Sequence, residues 1–401
     1  MMWLTGAQVY DVERGGFSRK SVAIRDGRVE ALAAGSPPAG ADQIDLGGAY
    51  LLPGLIDCHV HLTLQSEATG TAAFAARDHD QIRRDTIRAA EQTLRGGITT
   101  VRDCGGWNYV EMEVRDEIEA GRLPGPRMFL SGRLMSIETP GAADYWGMYD
   151  FASSAAELTA AAQRQIDRGA DFLKIMITGM FLAPETEHAE ECYYDVDDLS
   201  ALVRFCHSHG RHVACHAHAI EGVRVGIAAG VDSIEHGTYA DKPALEAMAK
   251  AGIYLVPTCT VMSAMIDNPE IRKVMPSYLV ARYEAARLTH RNAMVTAYDA
   301  GVPIVMGTDA GAPGNHHGMN AQECVRMVRD VGMAPQDVLE AATLSGARLL
   351  KQDANLGSIA PGKFADLIAV ARNPLEDMAA LHELSLVMKG GTVVHRPPQQ
   401  Q

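Results

Sequence analysis

The sequence lacks any segment that would target or anchor the chain. Met1-Met-Trp-Leu-Thr-Gly has no basic start and no long apolar region, and no apolar run approaches the length of a membrane span. The seven cysteines lack metal-finger spacing, and an odd, scattered set is typical of reduced thiols. We therefore expect a cytoplasmic protein without a membrane partner.

The sequence also has little positive charge. Its 36 lysines and arginines stand against 50 aspartates and glutamates, which gives a formal net charge of −14. Nucleic acids and anionic membranes bind basic surfaces, so neither is expected as a partner. The phosphate loop Gly-x-x-x-x-Gly-Lys-Ser/Thr and the nucleophile elbow Gly-x-Ser-x-Gly are both absent. These absences leave a small-molecule substrate as the expected partner.

Both ends of the chain predict β structure. Near the N-terminus, Asp26-Gly27 lies between two runs of alternating polar and apolar residues, which is a strong hairpin signal. The C-terminal end has the same style, with Gly390-Gly391 as the turn. We therefore predict one small β-sandwich domain built from residues 1–50 and 355–401.

Residues 51–354 follow a different pattern, in which short apolar runs alternate with amphipathic helical segments. Several helical segments end in glycine, the usual left-handed cap. This alternation predicts an α/β fold, a (β/α)8 TIM barrel, with a long loop at 131–153. The predicted strands are Leu55–His61, Ile98–Asp103, Arg127–Leu130, Phe172–Ile177, His212–His216, Asp232–His236, Tyr254–Pro257 and Pro303–Thr308. The predicted helices include Gln81–Leu94, Ala155–Arg168, Val196–Ser208, Pro243–Ala251 and Tyr278–Ala300.

The first predicted barrel strand ends in His59-Val-His61. Side chains two residues apart on a strand point the same way, so both imidazoles would project from one face. Two neutral imidazoles side by side form half of a divalent-metal site. Two half-exposed strand histidines are the alternative when the motif is taken alone.

Other strands deliver further polar residues to the same end of the barrel, where active sites of this fold lie. Each has a structural alternative: a snorkelling lysine, an N-capping aspartate or a hydrogen-bonded scaffold histidine. These alternatives are independent of one another, whereas one metal site accounts for all the positions together. The strand ends carry His59, His61, Lys174, His216, His218, His236 and Asp309, and one metal site would draw its ligands from this set.

With these residues the chain closely resembles the amidohydrolase superfamily of metal-dependent hydrolases. The matching motifs are Pro53-Gly-Leu-Ile-Asp-Cys-His-Val-His61, Lys174, His216, Ile234-Glu-His-Gly237 and Gly307-Thr-Asp309. The resemblance covers nearly the whole chain. Within the superfamily it is most similar to the group of Xaa-Pro dipeptidases, basic-residue carboxypeptidases and ochratoxin-type amidases, close to imidazolonepropionase-like proteins.

The resemblance implies two divalent metal ions, usually zinc. His59, His61 and Asp309 would hold one ion, and His216 and His236 the other. Lys174 would be carboxylated to N6-carboxylysine and bridge them. A metal-activated hydroxide would attack the carbonyl of a small amide, and Asp309 would pass the proton to the leaving amine. With a plain Lys174 amine, a one-metal site remains open.

Several further residues are candidates for substrate contact. His218 could face the rim beside His216, and Tyr239 and His317 could hold a carboxylate or oxyanion. Tyr145, Trp146, Met180 and Phe181 favour an apolar or aromatic group beside the scissile bond. Arg102 and Asp103 end the second strand and are expected to form a structural ion pair or to support the ligands. The segments around 138–146 and 178–180 depart from the dipeptidase pattern, which leaves the Xaa-Pro specificity in doubt.

Three functions remain open from the sequence. The first is a binuclear hydrolase that cleaves a C–N amide bond in a dipeptide, an N-acyl amino acid or a related amide. The second is a mononuclear deaminase or cyclic-amide hydrolase that acts on a heterocycle; metal counting separates the two. The third, a scaffold without catalysis, is disfavoured because no ligand is missing. Homo-oligomers are common among relatives, but no stretch here establishes an interface.

Overall fold

The computed structural model describes residues 1–35, 37–66, 75–139, 141–142, 145–180, 188–275 and 277–396. Its strands are β1 (Met2–Asp11), β2 (Gly16–Arg25), β3 (Arg28–Ala33), β4 (Asp42–Asp45), β5 (Tyr50–Pro53), β6 (Leu55–Val60), β7 (Ile98–Asp103), β8 (Arg127–Leu130), β9 (Leu134–Ser136), β10 (Tyr149–Phe151), β11 (Leu173–Met176), β12 (Val213–Ala217), β13 (Ser233–His236), β14 (Tyr254–Val256), β15 (Leu367–Val370), β16 (Leu384–Lys389) and β17 (Thr392–His395). Its α-helices are α1 (His79–Arg95), α2 (Val110–Glu119), α3 (Ala155–Asp167), α4 (Val196–Ser208), α5 (Ile220–Ala229), α6 (Lys242–Ala251), α7 (Cys259–Asp267), α8 (Pro269–Val274), α9 (Ser277–Asp299), α10 (Gln322–Arg326), α11 (Pro335–Ala341) and α12 (Leu344–Leu349).

The two ends of the chain share one eight-stranded sheet. Its order is β17-β16-β15-β5-β1-β2-β3, and β4 pairs with β1. The predicted hairpin is present, since β2 and β3 pair as far as Arg25 and Arg28 across Asp26 and Gly27, whose φ angles are 50° and 76°. Both values suit the primed turn that Asp-Gly favours. The second layer of a sandwich and the boundaries at 50 and 354 stay predictions.

The middle of the chain forms parallel strands that alternate with helices. One sheet has the order β6-β7-β8 and another the order β10-β9-β11-β12-β13-β14, and every strand pair in both is parallel. The first seven predicted strands agree with β6, β7, β8, β11, β12, β13 and β14 to within one residue at each end. Their burial is nearly complete, as expected for parallel strands covered on both faces.

The prediction of an eighth strand at Pro303–Thr308 is wrong as a continuous strand. The segment makes only isolated bridges, from Ile304 to Leu255 and from Ala310 to Val60. Proline has no N–H to donate. The amide of Met306 donates to the carbonyl of Ala341, outside the sheet, at 3.1 Å. The segment nevertheless links the two parallel sheets on this side; closure of a full barrel stays a prediction.

The prediction of a long loop at 131–153 is also wrong. This region contains β9, β10 and a 3-10 helix at Trp146–Met148. β9 pairs with both β10 and β11, so these short strands extend the parallel sheet beyond its expected members. Strands of three residues carry too little periodicity to be recognised in a sequence.

The helices pack against the parallel strands, and several of them end at a glycine, as the sequence predicted. Gly230 after α5 and Gly252 after α6 have φ angles of 79° and 69°, the left-handed conformation that closes a helix. The largest hydrophobic core joins these helices to the strands. Across the described residues, every helix is too short or too polar to span a lipid bilayer.

Candidate metal centre

The first group of ligand-type side chains is His59, His61 and Asp309, whose candidate atoms all lie within 4.8 Å of one another. His59 donates through Nδ1 to Glu235 Oε2 at 2.7 Å, and His61 donates through Nδ1 to the carbonyl of Gly105 at 2.9 Å. These bonds leave the Nε2 atoms as the lone-pair nitrogens. The Nε2 atoms lie 3.7 Å and 3.4 Å from Asp309 Oδ1.

The second group comprises His216, His218 and His236, again with candidate atoms within 4.8 Å. The Nδ1 atoms of His236 and His218 are hydrogen-bonded to the hydroxyls of Thr258 and Thr238, at 2.8 Å and 2.7 Å. The sequence analysis placed His218 only as a substrate contact. The structure brings it within ligand distance of the other two imidazoles, so both roles fit its position.

Lys174 lies in β11 beside the second group and is 1% exposed. Its Nζ atom has no hydrogen-bond partner in the described part of the chain. A buried amine without a partner is costly, so such a group calls for a further charge or ligand. The imidazoles and the carboxylate around Lys174 are donors that suit a divalent metal ion.

Burial keeps the imidazoles in the form that binds metals. It lowers the pKa of His59 to about 4 and that of His218 to about 3, and it holds the pKa of His216 and His236 well below the usual value. Lys174 adds to each of these shifts through its positive charge. The rings are therefore neutral at pH 7, as metal ligation requires.

Two site residues have an unusual backbone. His236 and Asp309 adopt φ angles of 71° and 60°, in the left-handed region that is uncommon for residues other than glycine, although aspartate and histidine enter it more often than most. Such strain concentrates at functional sites and persists only where surrounding contacts enforce it. At Asp309 the contacts are close, because its amide donates to the carbonyl of His59 at 2.7 Å.

The sequence analysis missed Glu235, a buried carboxylate that holds one of the ligands in place. Glu235 accepts hydrogen bonds from His59 Nδ1 and from Arg102 Nη2, each at 2.7 Å, and the side chains of Glu235 and Arg102 are both fully buried. Burial alone would raise the pKa of Glu235, but the positive charges of Arg102 and Lys174 keep this pKa well below its usual value. A glutamate within the buried strand motif Ile234-Glu-His-Gly237 was the available signal. Arg102 was expected to form an ion pair or to support the ligands, and its contact with Glu235 fits that expectation.

A second support lies behind Asp309. Asp57 accepts from the hydroxyl of Thr308 at 2.6 Å and from Asn320 Nδ2 at 2.7 Å, and it also accepts from the amide of His59. Burial raises the pKa of Asp57 to about 6. The Asp57 carboxylate thus connects Thr308, the residue before Asp309, to β6, the strand that carries His59.

One cavity of about 130 Å³ collects the predicted metal residues and several of the predicted substrate contacts. His218, Tyr145 and Met180 line it together with His59, His61, Lys174, His216, His236 and Asp309. Phe181 lies outside the described residues.

Tyr239, Trp146 and His317 do not belong to the described lining of this cavity. The hydroxyl of Tyr239 donates to Glu190 at 3.4 Å, and His317 donates through Nε2 to the carbonyl of Leu64 at 2.9 Å. Contact of these three residues with a substrate stays a prediction.

Parallel strands that bring imidazoles, an amine and a carboxylate to one cavity define a metal-binding hydrolase of the TIM-barrel type. The chain belongs to the amidohydrolase family, whose pattern it matches over residues 50–394. The superfamily assignment made from the sequence motifs is thereby confirmed.

Three similar proteins illustrate the match. Ochratoxinase of Aspergillus niger is 30% identical over 379 residues, which cover 86% of this chain and 76% of the relative. Imidazolonepropionase of Salinispora arenicola is 25% identical, with coverage of 87% and 84%. A crystal structure of a Xaa-Pro dipeptidase with methionine in its active site has a TM-score of 0.88 at 32% identity and covers 98% of this chain and 99% of its own. The chain is accordingly a hydrolase that acts on carbon–nitrogen bonds.

Proposed function

We propose that this enzyme cleaves the C–N amide bond of a small substrate such as a dipeptide or an N-acyl amino acid. The observation that supports this most is the convergence of the six predicted ligands on one cavity. We further propose that the parallel strands close into a (β/α)8 barrel over 51–354, with a sandwich from 1–50 and 355–401, and that the enzyme works in the cytoplasm as a possible homo-oligomer.

The residues present fit two divalent ions, which we propose to be zinc. His59, His61 and Asp309 would hold one, and His216 and His236 the other, with Lys174 as N6-carboxylysine between them. When bound, such ions lower the pKa of water and polarise a carbonyl group. We propose His236 as a catalytic residue together with Asp309, because it lines the cavity and would hold the ion that polarises the carbonyl group.

Asp309 is the residue that we propose to move the proton. Its carboxylate is partly exposed to the cavity, and its Oδ1 atom lies 3.4 Å from His61 Nε2. A carboxylate there can accept a proton from the attacking water and deliver it to the leaving amine, as general acid–base catalysis requires. The loop from Thr308 to Asn320 and the carboxylate of Asp57 hold it in this position.

Hydrolysis of a substrate panel by the metal-loaded enzyme tests the proposal. Dipeptides and N-acyl amino acids should be cleaved, and released amine should be measured. Hydrolysis confined to heterocyclic amides or amidines would instead favour the second candidate, a mononuclear ring hydrolase. That candidate draws support from the group of His216, His218 and His236, which could hold one ion alone, and from the likeness to imidazolonepropionase.

Metal counting after Lys174→Met separates one ion from two. The wild-type enzyme should bind about two ions per chain, and the variant about one or fewer, because the bridging ligand is lost while the imidazoles remain. Metal content is measured by mass spectrometry of the digested protein. Reconstitution of the wild type without bicarbonate should reproduce the loss, whereas the variant should not respond to bicarbonate. An unchanged count in the variant contradicts the bridging role.

A further inference from the structure

We infer that the substrate is an amide that carries an apolar group on both sides of the scissile bond. The inference rests on the proposed function and specifies its substrate class. Its basis is that two separate hydrophobic clusters, from different parts of the chain, line the cavity that holds the predicted metal residues.

The first cluster surrounds the end of β11 and the short strands before it. Leu134 of β9, Met148 of the 3-10 helix and Met176 of β11 are buried together with Tyr149, and all four line the cavity. The hydroxyl of Tyr149 is directed to the sulfur of Met180 at 3.6 Å. This side of the cavity is therefore formed by thioether, aliphatic and aromatic groups.

The second cluster lies mainly on α7 and α9, which come after β14. Met262 and Met265 of α7 pack with Tyr283 of α9, and Val261 packs against them; all four line the same cavity. Two of the four are methionines, whose unbranched side chains adapt to apolar ligands of irregular shape.

The order of the strands places the reacting centre between these clusters. The sheet runs β9-β11-β12-β13-β14. The first cluster is attached to β9 and β11, and the second follows β14, while His216 and His236 lie on β12 and β13 between them. A carbonyl group at the histidines would therefore have an apolar neighbour towards each cluster.

The second cluster is held firmly against the histidines. Glu323 accepts from the amides of Cys259 and Thr260 at 2.7 Å each and so fixes the first turn of α7. Thr258, just before that helix, contacts His236 at 2.8 Å. A wall fixed in this way loses little freedom when a ligand binds, which favours discrimination by shape.

Charge excludes the opposite substrate class. Lys174 is the one lysine or arginine among the described residues that line the cavity, and we place it at the metals. The ranges outside the description contain no lysine or arginine either, but they do contain Glu67, Asp144, Glu185 and Glu187. The cation near His218, Arg282, already pairs with Glu190 at 3.1 Å. Asp309, the one carboxylate among the described lining residues, is placed at the metals as well. A charged substituent that entered either cluster would therefore lose water without gaining a partner from the described lining.

Matched N-acyl amino acids test the inference. N-benzoyl-leucine, N-succinyl-leucine, N-benzoyl-glutamate and N-benzoyl-lysine differ in charge on one side of the amide at a time, and N-acetylglycine carries no large group. We expect kcat/KM for N-benzoyl-leucine to exceed that of each charged analogue, and that of N-acetylglycine, by about 10-fold to 200-fold. Equal or higher values for a charged analogue overturn the inference while leaving amide hydrolysis intact. If none of the five is cleaved while dipeptides are, the inference fails and the proposed function stands; if dipeptides are not cleaved either, the proposed function fails and the inference with it.

Two variants assign the clusters to the two sides of the substrate. Met148→Gln and Met265→Gln each place an amide in one cluster at nearly constant size. One variant should lower the benzoyl-over-succinyl preference, and the other the leucine-over-glutamate preference, by about 10-fold. Met319→Gln is the matched control, because Met319 is 53% exposed and should alter neither ratio. Thermal unfolding first establishes that each variant keeps the melting temperature of the wild type. If such a folded variant changes both ratios alike, or changes neither, the assignment is overturned.

Discussion

Replacement of Asp309 with asparagine is expected to lower kcat by roughly 10²-fold to 10⁴-fold, the range that general acid–base groups contribute. Asparagine has the same shape but cannot accept the proton. It also tolerates the left-handed backbone at this position, where φ is 60°, so the loop should keep its conformation. Much of the metal should therefore remain bound through the imidazoles. Steady-state kinetics of the metal-loaded variant, with its metal content measured in parallel, give the result.

The control for this variant is Asp80→Asn, because the Asp80 side chain is 81% exposed on α1 and lies outside the site. It should match the wild type in both turnover and metal content. Near-normal turnover by a metal-replete Asp309→Asn enzyme would contradict the proton-transfer role. Loss of metal together with turnover would show that Asp309 acts chiefly as a ligand.

Arg102→Met is expected to lower the free energy of unfolding by about 3–5 kcal/mol. Arg102 is fully buried and donates to Glu235, to Ser233 Oγ at 3.0 Å and to the carbonyl of Cys58 at 2.6 Å. Methionine fills most of the volume but leaves the carboxylate of Glu235 buried without its cation. Removing one partner of a buried ion pair leaves an uncompensated charge, and the resulting loss of stability is far larger than the net stability that the intact pair contributes. Urea unfolding followed by circular dichroism measures the change.

Arg95→Met provides the comparison, since Arg95 forms an exposed pair with Glu91 one helical turn away at 2.9 Å. Pairs of this kind contribute about 0.3–0.5 kcal/mol, so the control should be nearly as stable as the wild type. A loss below about 1 kcal/mol in Arg102→Met, within the scatter for ordinary surface changes, would show that the buried charge finds another partner or becomes protonated. Arg102→Met/Glu235→Met should recover stability if the lone carboxylate causes the loss.

The sequence predicted the elements that have strong periodicity and the ligands that have strand-end motifs. The first seven barrel strands were found because each is a run of apolar residues next to a helical segment. His59 and His61 were assigned to one face because strand alternation is a local property. The segment at 303–308 has the composition of a strand, but its hydrogen bonds go partly to Ala341, which no local pattern reveals.

What the sequence could not predict depends on contacts between distant residues. Glu235 meets His59 across 176 positions of the chain, and Arg102 meets Glu235 across 133. The contacts of Tyr239 with Glu190 and of His317 with the carbonyl of Leu64 join separate loops, which no local pattern reveals. The left-handed backbone at His236 and Asp309 is maintained by tertiary contacts: aspartate and histidine enter this region more often than most residue types, but the sequence does not show where they do so.

The hydrogen bonds of four histidine rings have a consequence for metal selection. Nδ1 of His59 and of His61 donates to Glu235 and to the carbonyl of Gly105, and Nδ1 of His218 and of His236 is hydrogen-bonded to the hydroxyls of Thr238 and Thr258. These rings are oriented by the polypeptide itself, so the spacing of their nitrogen atoms is set by the fold. Different divalent cations would therefore meet the same arrangement of imidazoles, and their relative affinities would report how well each ion's preferred geometry suits it.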